Sequence, residues 1–237
     1  MREARGIKQS ISKVECRAGA NGPELTGYAS VFNRYSQNLG GFVEEVAPGA
    51  FTDTLTRGNV AGLFNHDMNQ LLATVDSGTL TLEQDATGLR YSMQLDVEDP
   101  DAVRVMRKVE TQKLRGSSFS FRTLDEEWGA TEQGFPLRRL LAVELFDVGP
   151  VTNPAYLSTE ENGAAVALRS LATKLDLPEA RLLAASSDEL RALIAGELPD
   201  GAPQDMQASL GAATRAARLA ELRFQFENEQ RVLADLR

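Results

Sequence analysis

Histidine and cysteine are almost missing from this chain: its 237 residues hold one of each, His66 and Cys16. A lone cysteine excludes an internal disulfide framework and any multi-cysteine zinc site. Cys16, set among Val14, Glu15 and Arg17 with no histidine close in sequence, reads as a small buried or half-buried side chain. A lone histidine leaves one imidazole for acid–base chemistry near neutral pH, because only histidine has an unperturbed pKa there. Long apolar runs are missing too. None reaches bilayer-spanning length, and Met1-Arg2-Glu3-Ala4-Arg5 lacks the apolar stretch of a secretory signal, so the expectation is a soluble intracellular protein with no membrane partner. Positive charge is in deficit, 25 basic against 34 acidic residues for a formal −9, which disfavours a scaffold built to neutralise nucleic-acid phosphates. The chain also has no Gly-x-Gly-x-x-Gly turn, no phosphate-cradling Gly-Lys-Ser/Thr loop, no His-Glu-x-x-His pair and no compact carboxylate group. No cofactor and no metal are therefore expected.

What is present divides near residue 160. Before it, short β-like runs alternate with Gly, Asn, Asp and Pro; the first two cover residues 7–16 and 24–32, followed by a surface excursion over 33–41 that contains Gly40-Gly41. Phe51 and Leu55 share one face of a short helix ending near Gly58. Residues 60–64 read as a strand delivering His66 at its end, and runs at 71–75, 79–83 and 89–95 follow as a hairpin-like series. Asp99-Pro100-Asp101 opens a helix whose apolar stripe is expected at Val103, Met106 and Val109 or Glu110, with Arg104, Arg107 and Lys108 outward. Two longer strands come next, 115–128 and 137–148. In the first, Ser118 and Ser120 fall on one face and Phe119 and Phe121 on the other, so the aromatic face packs the core and the serines sit at a rim or cleft.

Beyond Val151-Thr152-Asn153-Pro154-Ala155 the composition turns rich in Ala, Leu and Arg. Ser186 and Glu189 have capping-box spacing ahead of Leu190, Leu193 and Ile194, and Gly196 and Pro199 end that helix. Residues 201–203 form a hinge candidate. Leu219, Leu222, Phe226, Glu229, Leu233 and Leu236 then recur at alternating three- and four-residue steps, a pattern suited to a partner helix or self-association.

Serine hydroxyl attacks a carbonyl only when a base removes its proton. His66, in Asn65-His66-Asp67, can act as that base if a serine lies within hydrogen-bond reach, and Ser117, Ser118 and Ser120 are the densest serine cluster on an expected strand. An acid on the far ring nitrogen would fix the tautomer; Glu44, Glu45, Asp67, Glu144 and Asp147 are the candidates. Asp67 is the poorest of them, since adjacent residues in extended chain point opposite ways, whereas Asp147 lies at a strand end. Gly116-Ser117-Ser118 lacks the second glycine of the Gly-x-Ser-x-Gly elbow and its strand-to-helix setting, which disfavours an α/β-hydrolase.

Five ordered segments carry a resemblance: Gly27-Tyr28-Ala29-Ser30-Val31-Phe32-Asn33, the 42–51 stretch with Pro48-Gly49-Ala50-Phe51, Leu63-Phe64-Asn65-His66-Asp67, Gly116-Ser117-Ser118-Phe119-Ser120-Phe121, and the closing 144–155 stretch. Over roughly residues 7–160 the chain resembles the prohead (head maturation) serine proteases of tailed bacteriophages, which are related in fold to the herpesvirus assembly protease. The resemblance implies an α+β fold with a compact β-barrel-like protease core flanked by helices over residues 1–160; residues 161–237, outside the resemblance, read from their composition and spacing as a helical C-terminal extension. That extension is a candidate scaffold or capsid-precursor-binding segment. The resemblance further implies a serine endopeptidase, acting inside the phage prohead in the bacterial host cytoplasm, that cuts scaffold or the major capsid protein precursor and commonly itself. Carried over residue by residue, the base falls on His66, the nucleophile on Ser118 and the acid on Asp147, in Asp147-Val148-Gly149-Pro150-Val151. Two positions depart from the family pattern. Ser120 stands where glycine is usual, creating a rival nucleophile, and Gly149 stands where serine is frequent. The competing expectations are a catalytically inactive capsid-assembly or scaffolding protein that keeps the protease fold, and a regulatory or binding module unrelated to phage heads.

Overall fold

A computed structural model describes residues 3–7, 14–19, 22–152 and 157–196. Along the chain run strands β1 (Glu3–Ile7), β2 (Glu15–Gly19), β3 (Gly22–Val31) and β4 (Val43–Val46), helix α1 (Thr52–Arg57), and strands β5 (Ala61–Leu63), β6 (Leu71–Thr74), β7 (Leu80–Gln84) and β8 (Gly88–Gln94). Helix α2 (Pro100–Glu110), the long strands β9 (Gly116–Ala130) and β10 (Pro136–Val151), and helices α3 (Leu157–Leu175), α4 (Glu179–Leu183) and α5 (Ser187–Ile194) complete the described part.

The strands form two sheets, one ordered β1-β9-β10-β5-β6 with β4 also on β10, the other β2-β3-β8-β7. The expected α+β class holds, but among the described residues the strands close no barrel. The branching at β10 explains this. Its first half pairs in parallel with β4 and its second half with β5, so two short partners share one edge where a barrel needs a continuous neighbour. The run read as one strand over 7–16 also divides: Ile7 ends β1 in the larger sheet, whereas Cys16 lies in β2 of the smaller one.

The two sheets share one core. Leu25 and Ala29 of β3, Tyr91 and Met93 of β8, and Phe119 and Phe121 of β9 are all buried in it. Phe119 stacks on Phe121 at 5.0 Å between ring centroids and meets Phe51 edge-on at 5.6 Å. Burying each such ring contributes on the order of 2–3 kcal/mol. Glycine permits a close approach between the sheets: a Cβ on Gly62 of β5 would stand 2.9 Å from the Met93 methyl.

Helix α2 starts where expected, with Asp99 as N-cap accepting from the Asp101 N–H and Pro100 in the first turn. Its buried stripe is Ala102, Val105 and the expected Val109, with the expected Met106 half-buried against the core and Val103 outside the stripe. The helix turns its short Ala102 toward the sheet and leaves Val103 at the margin. Helix α5 carries the expected capping box between Ser186 and Glu189, and Gly196 follows its end at φ 74°. A second cluster joins α3, α4 and α5 to the 33–41 excursion, most of which is exposed, through buried Leu39 and Phe42; Trp128 packs 5.0 Å from Phe42. The 201–203 hinge candidate and the spaced apolar residues of 219–236 lie outside the described residues.

Arg138, the largest fully buried side chain, ties these parts together. Its guanidinium donates to Glu44 of β4 at 2.8 Å, to Glu126 of β9 at 2.5 Å and to the Thr123 hydroxyl at 2.8 Å. From α3, Ser170 donates to a Glu126 carboxylate oxygen at 2.7 Å and Lys174 to its backbone carbonyl at 2.7 Å. Burial pushes the Glu126 carboxyl up, but the Arg138 charge, the Ser170 hydroxyl and Lys174 outweigh it and hold the group below the usual carboxylate range.

Candidate active site

The register of β9 against β10 sets the site. Asp147 lies opposite Ser120 and Gly149 opposite Ser118, after a bulge between Leu145 and Asp147. Residues opposite one another on paired strands share a face, so Ser118, Ser120, Asp147 and Gly149 stand together. Ser117 points the other way, where its hydroxyl meets the Tyr91 hydroxyl at 2.9 Å in the core. Burial drives the Tyr91 phenol well above its ordinary pKa, so both groups there are neutral. Ser117 is thereby separated from the other two serines.

His66 reaches this face from the turn after β5. Asn65 and His66 both adopt left-handed backbone, with φ of 56° and 58°. Asparagine and histidine are among the few non-glycine residues enriched in that region. Asn65 clamps the turn to the end of β10: its N–H donates to the Pro150 carbonyl at 3.0 Å, its side-chain oxygen accepts from the Thr152 N–H at 2.8 Å, and its amide nitrogen donates to the Thr152 hydroxyl at 3.2 Å. Asp67 is spent inside the turn, accepting from the Asn69 N–H at 2.9 Å. Sequence reasoning missed the Asn65–Thr152 clamp; the available signal was an asparagine directly before the only histidine.

With the turn so held, His66 Nε2 lies 2.7 Å from Ser118 Oγ and Nδ1 lies 2.5 Å from Asp147 Oδ1. Ser120 donates to the other Asp147 oxygen. An ionised carboxylate only accepts, which assigns the imidazole proton to Nδ1 and leaves the Nε2 lone pair facing the Ser118 hydroxyl. Asp147 is 1 % exposed and Ser118 4 %, whereas the His66 side chain keeps 20 % of its surface open. The carboxylate is buried and the imidazole is partly open to solvent, an arrangement suited to moving a proton from a hydroxyl to a ring nitrogen and out again. Poor dielectric screening at Asp147 strengthens its hold on a protonated ring.

The other acids weighed from sequence are engaged elsewhere. Glu44 pairs with Arg138 at 2.8 Å, Glu45 with Arg139 at 3.3 Å and Glu144 with Arg122 at 2.5 Å. Cys16 is half-buried, and its burial, then the Glu110 charge, raise its thiol pKa, which keeps it a thiol at neutral pH. Among the described residues no group of three His, Cys, Asp or Glu side chains converges as metal ligands, and no helix is long and apolar enough to cross a membrane.

Residues 10–175 match the family described as Caudovirus prohead serine protease. The solved capsid assembly protease of bacteriophage T4 is similar at 11 % identity with a TM-score of 0.39, the likeness covering 65 % of this chain and 97 % of that one. No curated protein sequence matches the chain.

Proposed function

The chain belongs to the Caudovirus prohead serine protease family, and from that premise we propose that it is a serine endopeptidase which cuts capsid precursor or scaffold protein, and itself, during phage head maturation. One observation carries the reading: a single imidazole is hydrogen-bonded at once to a serine hydroxyl and to a buried carboxylate.

Each residue has a role in the proposed mechanism. Ser118 Oγ attacks the peptide carbonyl carbon while His66 Nε2 takes the hydroxyl proton. Asp147 holds the Nδ1 proton and stabilises the imidazolium that forms. Backbone amides of the neighbouring strands donate to the developing oxyanion. Collapse of the tetrahedral species breaks the C–N bond, and the imidazolium gives its proton to the leaving amine. Water, deprotonated by the same ring, then hydrolyses the Ser118 ester. Ser117 is outside this scheme, since its hydroxyl lies in the core with Tyr91.

The deciding experiment is co-expression of the chain with a major capsid protein precursor from the same genome. Ser118→Ala abolishes precursor cleavage without unfolding the protein, and Ser117→Ala leaves cleavage intact. Equal cleavage by the intact and Ser118→Ala proteins rejects the assignment. Cleavage by neither would leave an assembly protein that keeps the protease fold without its activity. For the C-terminal extension the proposal is removal on activation; mass analysis of the particle-associated chain then finds a cut between about residues 155 and 205. An intact chain argues for a permanent appendage.

A further inference from the structure

We infer that Ser120 is a positioning residue, which fixes the Asp147 carboxylate by its second oxygen so that the first stays on His66. The inference rests on the proposed relay of Ser118, His66 and Asp147 and adds a fourth member to it.

Its geometry separates Ser120 from the nucleophile's role. Ser120 is fully buried, so a substrate carbonyl has no path to its hydroxyl. Two residues along a strand also set its backbone roughly 7 Å from that of Ser118. One carbonyl carbon cannot serve both. The proton inventory agrees: Asp147, as carboxylate, can only accept, so the Ser120 hydroxyl is the donor in their contact and its proton is directed at the acid. His66 Nε2 faces Ser118 instead. The two serines of one strand face therefore divide the work, one turned to the base and the other to the acid.

A carboxylate needs such an anchor. The torsion that turns an aspartate head group is broad and nearly two-fold, so a single contact at Oδ1 leaves the group able to rock. The ladder places Ser120 directly opposite Asp147, and a donor there holds Oδ2 while His66 Nδ1 holds Oδ1. This anchoring acts on His66 through Asp147 and does not require Ser120 to touch substrate.

The test uses the full chain and an alkyl fluorophosphonate, which labels an activated serine without needing the natural substrate. Ser120→Ala removes the donor; Ser120→Cys fills nearly the same space with a weaker one. For Ser120→Ala the maximal labelling rate falls roughly tenfold, equivalent to about 1.4 kcal/mol. The concentration for half-maximal rate stays within about twofold, because nothing that touches the reagent has changed. The acid limb of the rate–pH profile moves to lower pH, because a carboxylate free to rock holds the His66 imidazolium less tightly, and Ser120→Cys lies between Ser120→Ala and the parent. A parent-like rate and pH profile in Ser120→Ala overturns the inference. So does a loss in both variants that tracks lowered thermal stability with the acid limb unmoved. If the parent chain takes no label at all, the relay fails and the role of Ser120 falls with it.

Discussion

Gly149 faces Ser118 across the β9–β10 ladder, and a Cβ added to it would stand 1.9 Å from the carbonyl oxygen of Leu63. The atom in the way belongs to backbone, so no side-chain rotation relieves the contact. This bare position lets β5 run hard against β10, and β5 leads into the turn that carries His66 over Ser118.

Gly149→Ala is accordingly expected to push β5 outward. Overpacking of this kind costs about 1–3 kcal/mol. Because a misplacement near 1 Å costs on the order of 100-fold in rate, fluorophosphonate labelling of Ser118 falls by that order even at temperatures where the variant is folded. A folded Gly149→Ala protein that labels at the parent rate would show that β5 does not set the position of His66.

That dependence also marks what a sequence can reveal. His66 was legible from composition, because no second imidazole competes with it. Alternation put Ser118 and Ser120 on one face, and local capping rules placed the start of α2 and the box of α5. The identity of the acid was not legible from residue physics alone. Choosing Asp147 over Glu44, Glu45, Asp67 and Glu144 requires the β9–β10 register, and that register slips three times between Leu140 and Asp147. Bulges change which residues face each other without leaving a period in the sequence. The buried stripe of α2 is legible only in part, at Val109 and half-buried Met106, for a different reason: Ala102 counts little on a hydrophobic scale yet lies against the core. The division of the 7–16 run between two sheets was hidden because alternation reports strand character and not strand partner.

Asp147→Asn tests the tautomer argument. The amide keeps the shape of the carboxylate but can offer N–H to the ring, so the imidazole proton no longer belongs on Nδ1 and Nε2 loses its free lone pair. Labelling of Ser118 falls on the order of 1,000- to 10,000-fold with little change in the circular dichroism spectrum. A loss of less than about tenfold would remove Asp147 from the relay.

Asn65 combines two duties that substitutions can separate. Glycine at this position tolerates the φ of 56° but loses the contacts with Thr152; alanine loses those contacts and is also strained. Both variants label Ser118 more slowly, since each frees the His66 turn from β10. Asn65→Ala is further destabilised relative to Asn65→Gly by about 1 kcal/mol, read from denaturant unfolding. Equal stabilities would mean that the turn relaxes out of the left-handed region when its clamp is cut.

Glu126 links stability to pH through the buried network with Arg138 and α3. Its carboxyl is held below the usual carboxylate range even though burial opposes this, the Arg138 charge being the main counterweight. A depressed folded-state pKa contributes stability that is present above the unfolded value, near 4.3 for glutamate, and is lost as pH falls through the folded value. Thermal unfolding of the parent between pH 7 and pH 3 should therefore show a fall below about pH 4.5 that Glu126→Gln shows less steeply. At pH 7 the same substitution costs on the order of 3 kcal/mol, because it leaves the fully buried Arg138 with one carboxylate fewer. The two unfolding curves then converge toward acid pH, where Glu126 is protonated in both states of the parent. Parallel curves across the range would show that Glu126 is not the group through which acid loosens the junction of β9, β10 and α3.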